Sequence, residues 1–84
     1  MITSRAKFTC ISCTLTKTSR QNKETGQWEP TVAKTWKLSA VSTGSDENKL
    51  FFASTPYGTI EMNIVNPEVE FELGADYYVD FTRV

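Results

Sequence analysis

Histidine is missing from this 84-residue chain, and cysteine (two), proline (three) and glycine (four) are scarce. Without imidazole, the commonest acid–base and metal-binding chemistry is closed. Cys10-Ile11-Ser12-Cys13 has the spacing of a zinc half-site, but four-coordinate zinc needs two more Cys or His ligands and the chain has none. Redox dithiols gain reactivity at a helix N-terminus. This pair stands in a β-rich run, where residues three apart normally point to opposite faces. Two reduced, partly buried strand cysteines are therefore expected. The glycines, at 26, 44, 58 and 74, are dispersed turn residues and build no phosphate loop. No base or oxyanion signature accompanies the abundant Ser, Thr and Lys. Carboxylate pairs such as Glu68 with Glu70, or Glu61 with Asp80, are read as a solvated face, because so short a chain has little wall for a sugar-holding cleft. The expectation is a protein that is not an enzyme and uses no cofactor. A long apolar run is also lacking, and the Met1-Ile2-Thr3-Ser4-Arg5 start has no apolar leader, so an intracellular protein with no membrane association is expected.

What is present suits a single globular domain over residues 1–84, with 39% hydrophobic, 12% aromatic and 23% charged residues. The net charge of −1 hides a division: residues 1–40 sum to +5 and residues 41–84 to −6. Cross-strand pairing of a basic with an acidic strand is the expected fate of that asymmetry.

Arg5 to Thr16 reads as a long strand of β-branched and apolar residues. Phe8 and Cys10 fall on one face and Ile11, Cys13 and Leu15 on the other, which leaves two accounts: both faces are partly covered, or a bulge near Cys10 and Ile11 re-aims the second half. The polar stretch Lys17 to Gln27 reads as an exposed hairpin loop. A second strand is expected over Thr31–Val41 after Pro30, with Val32, Trp36, Leu38 and Ala40 on one face. Ser45 is placed to cap a short helix over about 46–53, with Leu50 and Phe51 inward and Phe52 partly covered. Gly58–Val65 alternates, Ile60, Met62 and Ile64 inward. Residues 68–73 and a segment around Tyr77, Val79 and Phe81 complete five strands. Five short strands burying one face each predict a small OB-like or SH3-like barrel with one short helix, since closure removes edge amides. A sandwich, or an open meander with the helix across one end, is the alternative.

Two stretches, Ser45-Asp46-Glu47-Asn48-Lys49-Leu50-Phe51-Phe52-Ala53-Ser54-Thr55-Pro56-Tyr57-Gly58 and Phe71-Glu72-Leu73-Gly74-Ala75-Asp76-Tyr77-Tyr78-Val79-Asp80-Phe81-Thr82, with Arg5-Ala6-Lys7-Phe8, resemble small uncharacterised proteins encoded by tailed bacteriophages. The resemblance implies a phage or prophage origin and an accessory role in the host cytoplasm or the virion. It carries no catalytic residue and no ligand across.

The candidate site is the first hairpin: Lys17, Arg20, Lys23, Trp28, Lys34 and Lys37. Cations for phosphates beside an exposed ring for bases is the pattern of single-stranded nucleic-acid grooves. Trp28, flanked by Gln27, Glu29 and Pro30, has no alternation partner and is expected to stand exposed, whereas Trp36 belongs to the core. Two further readings stand beside this one. A phage or host protein would dock on the Glu68, Glu70, Glu72 row or the Phe52 and Tyr57 patch; a small molecule would be sequestered between barrel and helix.

Overall fold

The pairing of β1 (Thr3–Gln21) with β2 (Trp28–Ala40) organises the computed structural model, which describes residues 3–84. Met1 and Ile2, on which the leader reading partly rests, lie outside them. The antiparallel ladder runs from Phe8 opposite Ala40 to Gln21 opposite Trp28. Thr, Val and Ile recur along both strands, and such β-branched residues favour the extended backbone. The ladder slips once: Cys10 faces Leu38 and Ser12 faces Lys37, so Ile11 is an extra, unpaired residue. Of the two accounts above, the bulge is the one found. It puts Cys13 on the same face as Phe8 and Cys10 and leaves Ile11 exposed. The expectation that the two cysteines point to opposite faces is corrected by the same slip.

β3 (Thr59–Ile64) pairs with Lys34–Ser39 of β2, and β4 (Asp76–Thr82) pairs with Thr3–Thr9 of β1. The sheet order is β3-β2-β1-β4, a Greek-key arrangement in which the fourth strand returns beside the first. The core lies on one face, with Ala6, Phe8, Cys10, Trp36 and Leu38 buried and Ile60, Met62, Ile64, Tyr77 and Val79 packed round them.

The expected five-stranded barrel is therefore corrected to a four-stranded open sheet. β3 and β4 occupy opposite edges, and a molecule 16 Å through its thinnest dimension has room for a sheet and one covering layer. Residues 68–73 are not a strand. They keep their alternation, Val69 and Phe71 half-buried, because the β3–β4 connection crosses the core face instead of joining the ladder. Phe71 stands edge-on to Trp36 at 5.5 Å and to Tyr77 at 5.2 Å. The crossing ends at the bulge, where the Gly74 amide donates to the Cys10 carbonyl and the Cys10 amide to the Ala75 carbonyl.

α1 (Asp46–Phe52) starts at the expected cap: the Ser45 side chain accepts from the Asn48 amide, and Asp46 and Glu47 occupy the first turn. Its inward face differs from the expected one. Leu50 is 85% exposed and Phe51 is also exposed, while Phe52 joins the core. The residue that buries completely is Asn48. Its Oδ1 accepts from the Lys7 amide at 2.6 Å, and its Nδ2 donates to the carbonyls of Lys7 and Val41 at 2.8 and 2.9 Å. A primary amide has the donor and acceptor of a peptide group, so Asn48 fits between the Lys7 amide and the Val41 carbonyl where β1 and the end of β2 part, while the Val41 amide still donates to the Lys7 carbonyl at 3.0 Å. No helix among the described residues is long and apolar enough to cross a membrane.

Candidate interaction arm

β3 covers β2 only over Lys34–Ser39, and β4 covers β1 only up to Thr9. Beyond Leu15 and Lys34 the first two strands run on alone as a two-stranded arm. The segment expected as a loop is thus mostly strand, because its threonines and serines pair across the hairpin even though they bury nothing. Pro30 is accommodated within β2 because the arm has no third strand to satisfy.

The turn at the tip is built by Asn22. Its Oδ1 accepts from the Glu24 amide at 2.8 Å, its Nδ2 donates to Glu29 at 3.0 Å, and the Asn22 amide and Gln27 carbonyl close the loop at 2.7 Å. Gly26, at φ 74°, supplies the left-handed residue that the reversal needs.

Directly opposite residues of an antiparallel pair share a face. One face of the arm carries Leu15 with Lys34, Lys17 with Val32, Ser19 with Pro30 and Gln21 with Trp28. This is the core face of the sheet continued outward, with Trp36 as its last buried member. Trp28 is 68% exposed, Leu15 64% and Val32 45%. The opposite face carries Thr14 with Thr35, Thr16 with Ala33, Thr18 with Thr31 and Arg20 with Glu29.

The six expected site residues are consequently not one patch. Lys17, Trp28 and Lys34 share the apolar face; Arg20 and Lys37 lie on the other, and Lys23 sits in the turn. Lys34 is ion-paired with Glu70 of the crossing connection. Lys37 lies opposite Glu61 on β3, and Arg20 opposite Glu29. Among the described residues Lys17, Arg20, Lys23 and Lys37 make no ion pair. The expectation for Trp28 is matched in its exposure, and that for Trp36 in its burial. Alternation puts Val32 on the face of buried Trp36 and Leu15 on that of Cys13; what exposes both is that they lie past the end of the sheet, which no local pattern signals.

At the other end of β1, Arg5 pairs with Asp80 at 2.7 Å and lies over the Tyr78 ring, 4.8 Å from its centre. The Tyr78 hydroxyl donates to Glu47 at 2.7 Å, and the Ser45 hydroxyl donates to the other Glu47 oxygen at 2.9 Å. These donors, the tyrosine foremost, hold the Glu47 carboxyl down at about 2. Asp80, which the sequence singled out among its rings, has its carboxyl pulled down by the same Arg5. A cleft of about 420 Å³ is lined here by Ser4, Arg5, Glu47, Leu50 and Phe51. In the sheet, burial pushes the Cys10 thiol up, away from the reactive thiolate. No family model matches the chain, nor does any curated protein or solved structure.

Proposed function

We propose that this chain is a non-catalytic binding module whose β1–β2 arm is the binding element, seated by its apolar face on a protein surface. The observation that carries this reading is the continuous exposed row Leu15, Val32, Pro30 and Trp28, projecting beyond the sheet. Contiguous exposed apolar surface rimmed by polar groups is the mark of an interaction site, and an exposed Trp is the residue most suited to anchor one. The phage resemblance fits an accessory of this kind, in the virion or directed at a host factor.

The test is a comparison of binding by the intact protein and by a Leu15→Ser, Trp28→Ser, Val32→Ser variant against nuclease-treated virion or host fractions. A protein retained by the first and lost from the second is the expected result. Equal retention by both would overturn the reading.

Single-stranded nucleic acid is the second reading, favoured by Lys17 lying on the same face as the exposed Trp28. Stacking of one base there is worth about 1–3 kcal/mol. With Lys34 already matched to Glu70, a shallow salt dependence is expected, set by Lys17, Lys23 and Arg20. Titration with an oligonucleotide at low salt decides this reading, because Trp28 emission left unchanged would remove it.

A further inference from the structure

Resting on the arm reading, we infer that the arm takes an extended, acidic segment of another protein, added as a strand along the open edge of β1 from Cys13 to Gln21. The place follows from the backbone groups that the ladder leaves unused. Cys10 turns its amide and carbonyl away from β2, to Ala75 and Gly74. That direction alternates along a strand in step with the side chains, so past the bulge at Ile11 it passes to Cys13, Leu15, Lys17, Ser19 and Gln21, which continue the face of Cys10. The Asn22 amide, donating inward to the Gln27 carbonyl, keeps the same step at the tip. Gly74, at φ 86°, turns the chain that precedes β4 aside, and among the described residues nothing continues the line of β4 along these outward groups.

The other edge of the arm is not equivalent. The Ala40 amide donates outward to the Gly58 carbonyl, and the same alternation turns Val32, Pro30 and Trp28 outward on β2. Pro30 has no amide hydrogen and interrupts that edge in its middle. From Cys13 to Gln21, β1 has neither proline nor glycine.

Charge selects the occupant. β1 carries Arg5, Lys7, Lys17 and Arg20 and no carboxylate. Where its outer edge is covered, the cover is acidic: β4 brings Asp80 to Arg5 at 2.7 Å and Asp76 to the Thr9 hydroxyl. Lys17 and Arg20, on the uncovered part, make no ion pair among the described residues. A cation on an edge repels another edge like itself and admits a strand that brings carboxylates. Lys17 and Arg20 stand three apart on opposite faces, so the carboxylates of the added strand are three apart too, with a β-branched apolar residue beside Leu15.

Amide hydrogen exchange by NMR tests this, with a blocked peptide of about ten residues, Val and Thr with two aspartates three apart, as the probe. In the free protein the amides of Thr14, Thr16 and Thr18 face β2, while those of Leu15, Lys17 and Ser19 face outward. Peptide at millimolar concentration is expected to slow the outward set by about tenfold or more, and more than the inward set. Ser19→Pro, placed opposite Pro30, removes one outward amide and is expected to weaken binding about tenfold while the Thr16 and Thr18 amides stay protected. Lys17→Glu with Arg20→Glu leaves every backbone group in place, and is expected to reverse the preference toward a peptide with lysines for aspartates. Outward amides left unslowed, or equal binding of the two peptides by the natural protein, overturn the inference. If those amides stay fast while the peptide perturbs Leu15, Val32 and Trp28, the arm reading stands and only the edge is wrong; binding that touches neither strand of the arm counts against both. Oligothymidylate bound more tightly than the aspartate peptide overturns the inference in favour of nucleic acid.

Discussion

Asn48 shows how much one polar side chain can hold. It is completely buried at the junction of α1, β1 and the end of β2, and its amide satisfies one backbone donor and two backbone acceptors. Replacing it by Ala leaves the Lys7 amide and the Val41 carbonyl unpaired in a dry site, at a cost of about 2–4 kcal/mol, read as a lower midpoint in urea. Asn48→Asp has the same shape but turns a carboxylate toward two carbonyls. Burial raises the folded-state pKa of that new acid, so the variant is expected to be closer to the natural protein at pH 4 than at pH 7. Equal losses at both pH values would show that the amide's hydrogen bonds are not what holds α1. Glu47 works in the opposite sense. Its carboxyl is lowered from 4.5 to about 2 by Tyr78 and the other donors, so the stability it contributes is complete above pH 4.5 and is lost as pH falls from there toward 2. Because the group is open to solvent, the effect is expected to be small. The slope of stability against pH in that window should be shallower in Glu47→Gln, which cannot titrate.

α1 is seven residues, too short to persist in water by itself, and its ends decide whether it forms. Ser45 caps the start as its place before Asp46 and Glu47 foretells. The end is less comfortable: Ala53 is the one non-glycine residue at positive φ among the described residues, at 54°, donating its amide to the Lys49 carbonyl. Left-handed backbone disfavours any residue with a Cβ, so Ala53→Gly is expected to stabilise the protein by up to about 1 kcal/mol, a rise in melting temperature of several degrees. An unchanged or lower melting temperature would mean that the added freedom of the unfolded chain outweighs the relief. At this scale the sequence was readable wherever local chemistry dominates. Gly26, Gly44 and Gly74 mark reversals, Ser45 marks a cap, and the alternation of Ile60, Met62 and Ile64 marks β3. It misled wherever the outcome depends on a distant neighbour. Phe71 alternates with glutamates as a strand would, yet it covers Trp36 from above; Lys17 to Gln21 look like loop but find partners across the hairpin. Asn48 gives no periodic signal at all, and Leu50 and Phe51 were assigned inward because apolar helix residues usually are. In the basic hairpin Lys17 and Arg20, like Lys34 and Lys37, are three apart on one strand and so divide between two faces by alternation alone; the bulge at Ile11 decides which of those faces continues the core.

At the scale of the whole molecule, the radius of gyration is 16.3 Å, against about 12 Å for a compact chain of this length. The difference is the arm, and the division of labour it implies can be measured. None of the buried hydrophobic residues lies within Lys17–Val32, so replacing that segment by an Asn-Gly turn removes the arm while leaving the core intact. Ordering the arm costs backbone entropy that its ladder roughly offsets, since it buries little apolar surface. The shortened chain is expected to melt within about 8 °C of the natural one, a difference of roughly 1 kcal/mol or less. A larger fall would mean that the arm is part of the cooperative core. Amides of the arm should also exchange with solvent sooner than those of Lys34–Ser39, which are flanked by strands on both sides.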